Sequence, residues 1–190
     1  MTMQEPPRCD WPQGEMMLAY HDHEWGRPLH DDAKLYEMLF LEGFQAGLSW
    51  YIVLKKRDAF RKAFANFDPQ AIAAFGEADI ARLTADETIV RNKSKILGAI
   101  HNAGIFLSIQ REFGSFDRYL WSYAPDGPIV NQTDIFPVSS PLSDAVSADL
   151  KKRGMKFVGT VTVYSYLQSV GIINDHQRHC FVMRELHPDP

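Results

Sequence analysis

Two cysteines occur in the 190 residues, Cys9 and Cys180, and each has a histidine at metal-ligand spacing. His21 follows Cys9, and the run N-D-H-Q-R-H-C places His176 four residues before Cys180. A thiolate and an imidazole from each end of the chain would make a tetrahedral Cys₂His₂ zinc site, closed and therefore structural. Residues four apart share a helix face, which favours His176 over His179, the immediate neighbour of Cys180. His23 and His187 are further competitors. Spacing alone leaves an alternative open: two unrelated thiols with two surface histidines. A disulfide fits poorly in a chain that shows no secretory signal.

A second constellation lies in the first fifty residues. Trp11, Trp25 and Trp50, three of the four tryptophans, fall there together with Tyr20. Residues 38–50 read M-L-F-L-E-G-F-Q-A-G-L-S-W, in which Glu42 is the only charge. A carboxylate inside an apolar run must be paired or hydrogen-bonded. It is either a core glutamate bound to an arginine or an acid in an aromatic-lined pocket with a shifted pKa. Gly43 and Gly47 interrupt the helical pattern, which suits a backbone that approaches a ligand closely.

The elements that would hold these residues are nearly all helical. Asp31 or Asp32 caps a helix through Leu35, Met38, Leu39 and Leu41 to Gly43. Another begins near Ser49 and runs through Leu54, Phe60 and Phe64, and Asp68-Pro69 opens a third. Thr84 and Glu87 match a capping box, and residues 92–113 carry Ile96, Ile100, Ala103 and Leu107 on one stripe. Ser140-Pro141 starts a helix that Gly154 stops. Phe157 to Tyr166 alternates partly like a strand. With no partner strand evident, Thr160 as cap and Gly171 as stop favour a helix there. The long loop is Ala124 to Pro137.

The length suits one domain, or two small lobes sharing a cleft. Hydrophobic residues make up 45% and charged residues 23%, as in ordinary globular proteins. No apolar run reaches the length of a membrane span, and Met1 to Asp10 is polar and proline-containing, so a cytoplasmic location is expected. The net charge of −4 argues mildly against nucleic acid. Basic clusters at Lys55–Arg57 with Arg61 and Lys62, at Arg91, Lys93 and Lys95, and at Lys151–Arg153 with Lys156 offset that argument. Each cluster alone reads more simply as a solvated helix face.

Taken together, R-C-D-W (8–11), A-Y-H-D-H-E-W-G (19–26), L-E-G-F-Q-A-G-L-S-W (41–50), K-K-R-G-M-K-F-V-G-T (151–160) and N-D-H-Q-R-H-C (174–180) resemble a known family. These motifs are similar to those of the constitutive 3-methyladenine DNA glycosylases, the type I enzymes of the helix-hairpin-helix superfamily. The resemblance covers nearly the whole chain. It implies an all-α, two-lobed fold built as one glycosylase domain over 1–190, with the base pocket between the lobes. It also implies a structural zinc held by Cys9, His21, His176 and Cys180, clipping the N- and C-terminal segments together.

The activity implied is hydrolysis of the N-glycosidic bond of 3-methyladenine in alkylated double-stranded DNA, by a monomer, releasing the free base without a lyase step. Methylation at N3 makes the adenine cationic and a good leaving group, so the site must extract and hold the base more than protonate it. By the same resemblance Trp50 and Trp11 stack on the base, Trp25 is a wall, and Glu42 and Tyr20 bind its edge as the catalytic pair. Gln45, Gly47 and Leu48 match the loop that fills the gap left by the flipped nucleotide; on their own residues they read as a helix–helix turn with Leu48 in the core. The hairpin would be roughly Leu83 to Lys95, with Arg91, Lys93 and Lys95 assisting its amides at a DNA phosphate. Two departures stand out. The hairpin lacks the usual glycine-rich sequence, and Met17 occupies a position where some relatives have tyrosine. Asp117, the next aspartate after the hairpin, is more simply a helix N-cap, and Trp121 is expected in the core.

Two other functions remain on these residues. A zinc-stapled protein that binds a modified purine or nucleic acid without cleaving it would show the same aromatic box. It would, however, have little reason to bury Glu42 beside Tyr20. A nucleoside hydrolase would need a carboxylate cluster that the sequence lacks.

Overall fold

The computed structural model describes residues 6–131 and 133–187; the first five residues of the polar opening segment lie outside them. Eleven α-helices account for most of the described chain. They are α1 (Glu15–His23), α2 (Asp32–Gln45), α3 (Trp50–Lys55), α4 (Arg57–Ala63), α5 (Pro69–Ala73), α6 (Glu77–Ala85), α7 (Lys93–Phe113), α8 (Phe116–Trp121), α9 (Pro141–Lys152), α10 (Thr160–Ser169) and α11 (Phe181–Leu186). None is long and apolar enough to cross a membrane.

Several helix ends follow from the capping chemistry of the sequence. Asp31 accepts from the Lys34 N–H, Asp68 from Gln70, Asn92 from Lys95, and Ser140 exchanges hydrogen bonds with Ser143. Other expectations are corrected. The segment from Ser49 to Phe64 is two helices that part at Lys56. Thr84 lies inside α6, where its hydroxyl donates to the Ile80 carbonyl, so it caps nothing. Gly159, and not Thr160, is the cap position of α10. Gly43 is an interior residue of α2, which continues to Gln45; the chain turns at Gly47, whose φ of 77° is left-handed.

Asp117 is not an N-cap. Ser115 fills that position of α8, while Asp117 sits in the first turn and pairs with His30 at 2.8 Å. Asp32 secures the same helix start from a distance, accepting from the backbone N–H groups of Phe116 and Asp117. Trp121 is only partly buried; its indole N–H donates to the Leu29 carbonyl and its ring stacks on His30.

The core is continuous. Helix α7 packs against α5, α6, α8 and α2, while α10 packs against α2 and α9. Phe40, Phe44, Phe60, Phe64 and Phe67 form one aromatic cluster between α2, α4 and the turn after it. Each such ring contributes roughly 1.5–3 kcal/mol through burial. The long loop carries a short strand, β1 (Ile129–Val130), which pairs in parallel with β2 (Ile173–Asn174). This two-residue pair ties the loop to the segment preceding His176, while Thr160 to Tyr166 is helical, as the lack of a partner strand for it led the sequence reading to expect.

Candidate active site

Tyr20 is fixed by α1, Glu42 and Gln45 by the last turns of α2, Trp50 by the first turn of α3, and Trp11 and Trp25 by the segments flanking α1. These residues converge on a cavity of about 260 Å³, completed by Met17, Phe136, Ser165 and Gln168. The six aromatic, carboxylate and amide residues singled out in the sequence are thus neighbours. Tyr20 and Trp50 lie with ring centroids 5.3 Å apart, and Trp11 meets Trp25 edge-on at 5.0 Å.

Glu42 is 3% exposed, and among the described residues its Oε2 has no hydrogen-bond partner; the Trp11 and Trp50 indole N–H groups are also buried without one there. Orphaned polar atoms are rare in folded proteins. Three on one cavity wall mark a surface whose partners arrive with a ligand. Burial pushes the Glu42 carboxyl up to about 8, and no arginine offsets it. The core-ion-pair reading of Glu42 is therefore excluded: the arginine pairs nearby, Arg57 and Arg61, go to Glu37 instead. Burial also raises the Tyr20 phenol, with the Glu42 charge adding to the shift.

Beside the cavity, Cys9, His21, His176 and Cys180 are buried with their ligand atoms all within 4.8 Å of one another, a cluster that could hold a metal ion. Sγ of Cys9 is 3.5 Å from Nδ1 of His176, and Sγ of Cys180 is 3.5 Å from Nε2 of His21 and 3.6 Å from Nδ1 of His176. Two thiolates and two imidazoles this close together are a donor set that would suit a closed, tetrahedral zinc site. The other ring nitrogens are engaged as outer partners: His21 Nδ1 meets Asp22 at 2.7 Å, and His176 Nε2 meets the Trp25 carbonyl at 3.0 Å. The Cys180 thiol is held well below its ordinary range, chiefly by the Cys9 contact and also by both imidazoles.

His23 and His179 are exposed, and neither they nor His187 joins the cluster. The helical-turn argument for His176 and Cys180 does not hold, because the stretch is a tight turn in which the Cys180 N–H donates to Gln177 and Cys180 caps α11. Gly26 permits the packing: its φ is 73°, and a Cβ there would lie 2.6 Å from His176 Nε2. The cluster and the cavity share walls, since His21 packs against Trp11 at 5.4 Å and His176 against Trp25 at 4.6 Å.

The hairpin residues separate. Arg91 and Lys93 are exposed on the α6–α7 connection, Arg91 pairing with Glu87. Lys95 points inward. It is 7% exposed and its Nζ donates to the Phe44 and Ala46 carbonyls, so it closes the end of α2 and is not free to meet a phosphate. Gly47 and Leu48 are exposed at the tip between α2 and α3, which removes the reading of Leu48 as core. Phe136, Ser165 and Gln168 were not singled out in the sequence. Ser165 and Gln168, three apart and so on one face of α10, carried a weak signal; Phe136, in a proline-rich loop, carried none.

A family model for methyladenine glycosylases matches residues 11–183. The chain belongs to the methyladenine glycosylase family. Among its relatives, DNA-3-methyladenine glycosylase 1 of Escherichia coli K12 is 46% identical over 177 residues, covering 91% of this chain and 95% of that one. A solved structure of 3-methyladenine DNA glycosylase I from Staphylococcus aureus is 36% identical, covers 92% and 95% of the two chains, and superposes with a TM-score of 0.88. A tyrosine-to-phenylalanine variant of 3-methyladenine DNA glycosylase I, solved in complex with 3-methyladenine, is 35% identical, with coverage of 92% and 96% and a TM-score of 0.88. The helical architecture described above is thus that of the glycosylase family.

Proposed function

We propose that this methyladenine glycosylase hydrolyses the N-glycosidic bond of 3-methyladenine in alkylated double-stranded DNA, releasing the free base. The observation that carries the reading is the unpartnered Glu42 Oε2 on the wall of an aromatic cavity. That wall attracts a flat, cationic purine: indole faces bind the charge and the carboxylate accepts from the base edge.

The cation needs little acid catalysis. When C1′–N9 breaks, the electron pair passes to N9 and neutralises the ring, and water captures the sugar cation and loses a proton. Trp50 and Trp11 hold the extruded base, Tyr20 and Glu42 bind its edge, and Trp25 and Met17 close the walls. A bound cation favours the ionised form of Glu42, opposing the burial that raises it. Among the described residues no lysine lines the cavity, in keeping with a hydrolysis that proceeds without a Schiff-base lyase step.

Gln45, Gly47 and Leu48 enter the space left by the flipped nucleotide, and Arg91 and Lys93 meet the phosphates. Cys9, His21, His176 and Cys180 hold one zinc with no open position, whose contribution is to fold stability. A monomer acting in the cytoplasm completes the reading. Incubating the purified protein with methylated duplex DNA should release free 3-methyladenine and leave the strand unbroken. Tight binding of methylated DNA with no base release would make the protein a binder and end the proposal.

A further inference from the structure

Gln168 lines the base cavity from α10, and its Nε2 donates to Oδ2 of Asp175 at 2.5 Å. Asp175 is 2% exposed, and its Oδ2 also accepts from the Tyr164 hydroxyl at 2.8 Å. A carboxylate only accepts hydrogen bonds, so the nitrogen end of the Gln168 amide must face it. The orientation of an amide is often ambiguous; here the buried partner fixes it. The carbonyl end, Oε1, has no partner among the described residues and is the polar atom Gln168 has left for a ligand. Ser165, one turn earlier on the same face, lines the cavity beside it.

We infer that Gln168, held by Asp175, is a specificity-determining residue that accepts from the exocyclic amine of adenine and rejects guanine. The inference rests on the glycosylase reading above. Adenine presents an NH₂ at C6, with two hydrogens to give; guanine presents a carbonyl there, which only accepts. Two acceptors on the cavity wall, Glu42 and Gln168 Oε1, match the amine. Glu42 alone leaves the choice to its protonation state, since a carboxyl donates when protonated and accepts when ionised. Gln168 cannot turn its amide without leaving the Asp175 carboxylate facing a second acceptor. A site built to bond one partner rejects the analogue lacking it, because buried groups are then left unpaired. Asp175 acts as a positioning residue.

The test measures free 3-methyladenine and 3-methylguanine released from the same methylated duplex DNA, as a ratio of initial rates. Wild-type protein should favour the adenine, and Gln168→Met should lower the ratio by about tenfold or more, mostly through loss of adenine release. Asp175→Ala should lower it in the same direction, although Gln168 is present, with metal content and thermal midpoint measured alongside. Should Asp175→Ala fail to fold, Gln168→Met carries the test. Equal release of both bases by the wild type, or an unchanged ratio in Gln168→Met, would overturn the inference and leave the glycosylase reading standing. Release of neither base by the wild type would instead remove that reading.

Discussion

At the scale of single residues, Glu42 combines the base-binding role proposed above with a cost to stability. Its folded-state pKa of about 8 lies above the unfolded value of 4.5. The folded protein therefore holds the proton more tightly, and stability falls as pH rises from about 4.5 through about 8. Glu42→Gln should slow base release without abolishing it, because methylation itself activates the leaving group. The same variant should gain roughly 3–5 kcal/mol over wild type between pH 5 and pH 9. Denaturant unfolding at the two pH values reads this directly; an identical difference at both would contradict the burial of an uncompensated carboxyl. Trp50→Ala should weaken binding of free 3-methyladenine by about 1–3 kcal/mol with the fold retained, as titration calorimetry would show. Intact affinity in an unfolding-prone variant would make Trp50 a core residue. Glu42 was legible in sequence because a lone charge in an apolar run demands a reason. Gln168 was not, because its meaning depends on Asp175, seven residues away on another element.

At the scale of elements, the end of α2 decides where the tip carrying Gly47 and Leu48 projects. Lys95 reaches from the first turn of α7 to the Phe44 and Ala46 carbonyls, so a lysine that reads as a phosphate contact closes the end of a helix. Desolvation lowers its pKa, in keeping with an inward-facing amine. Lys95→Met should cost about 1–3 kcal/mol of stability and leave the salt dependence of non-specific DNA affinity unchanged. Lys93→Ala should do the opposite, reducing the slope of log affinity against log salt by about one. If Lys95→Met reduces that slope as Lys93→Ala does, the inward placement is wrong. The sequence announced the amphipathic helix over 92–113, but an i,i+2 pair of lysines on a helix start does not say which one faces the core. The break at Lys56 was hidden for a related reason: its side chain leaves the helix to donate to the Glu87 and Thr88 carbonyls.

At the scale of the whole molecule, the helical class was readable from periodicity and caps, whereas cysteine spacing left the pairing of the two ends one of two readings until the family resemblance favoured it. The two-residue strands and the Phe136 loop were not, since neither leaves a pattern long enough to detect. Removing the metal with a strong chelator, or replacing Cys180 with Ser, should lower the thermal midpoint before it alters base selectivity. An unchanged midpoint in a chelated protein shown to be metal-free would remove the structural role. The four donors also impose an order of events during synthesis. Cys9 and His21 emerge from the ribosome early, but His176 and Cys180 follow more than 150 residues later, as the separation of 167 between Cys9 and His176 shows. Ribosomes add about 5–20 residues per second, so the half-set waits for many seconds with an uncovered thiol. During that interval Trp25 lacks the His176 ring it later packs against at 4.6 Å, although His21 is already present beside Trp11. The base cavity is therefore completed only once residue 176 has been made, and a chain stalled before it would carry Glu42 and Trp50 with one wall unsupported.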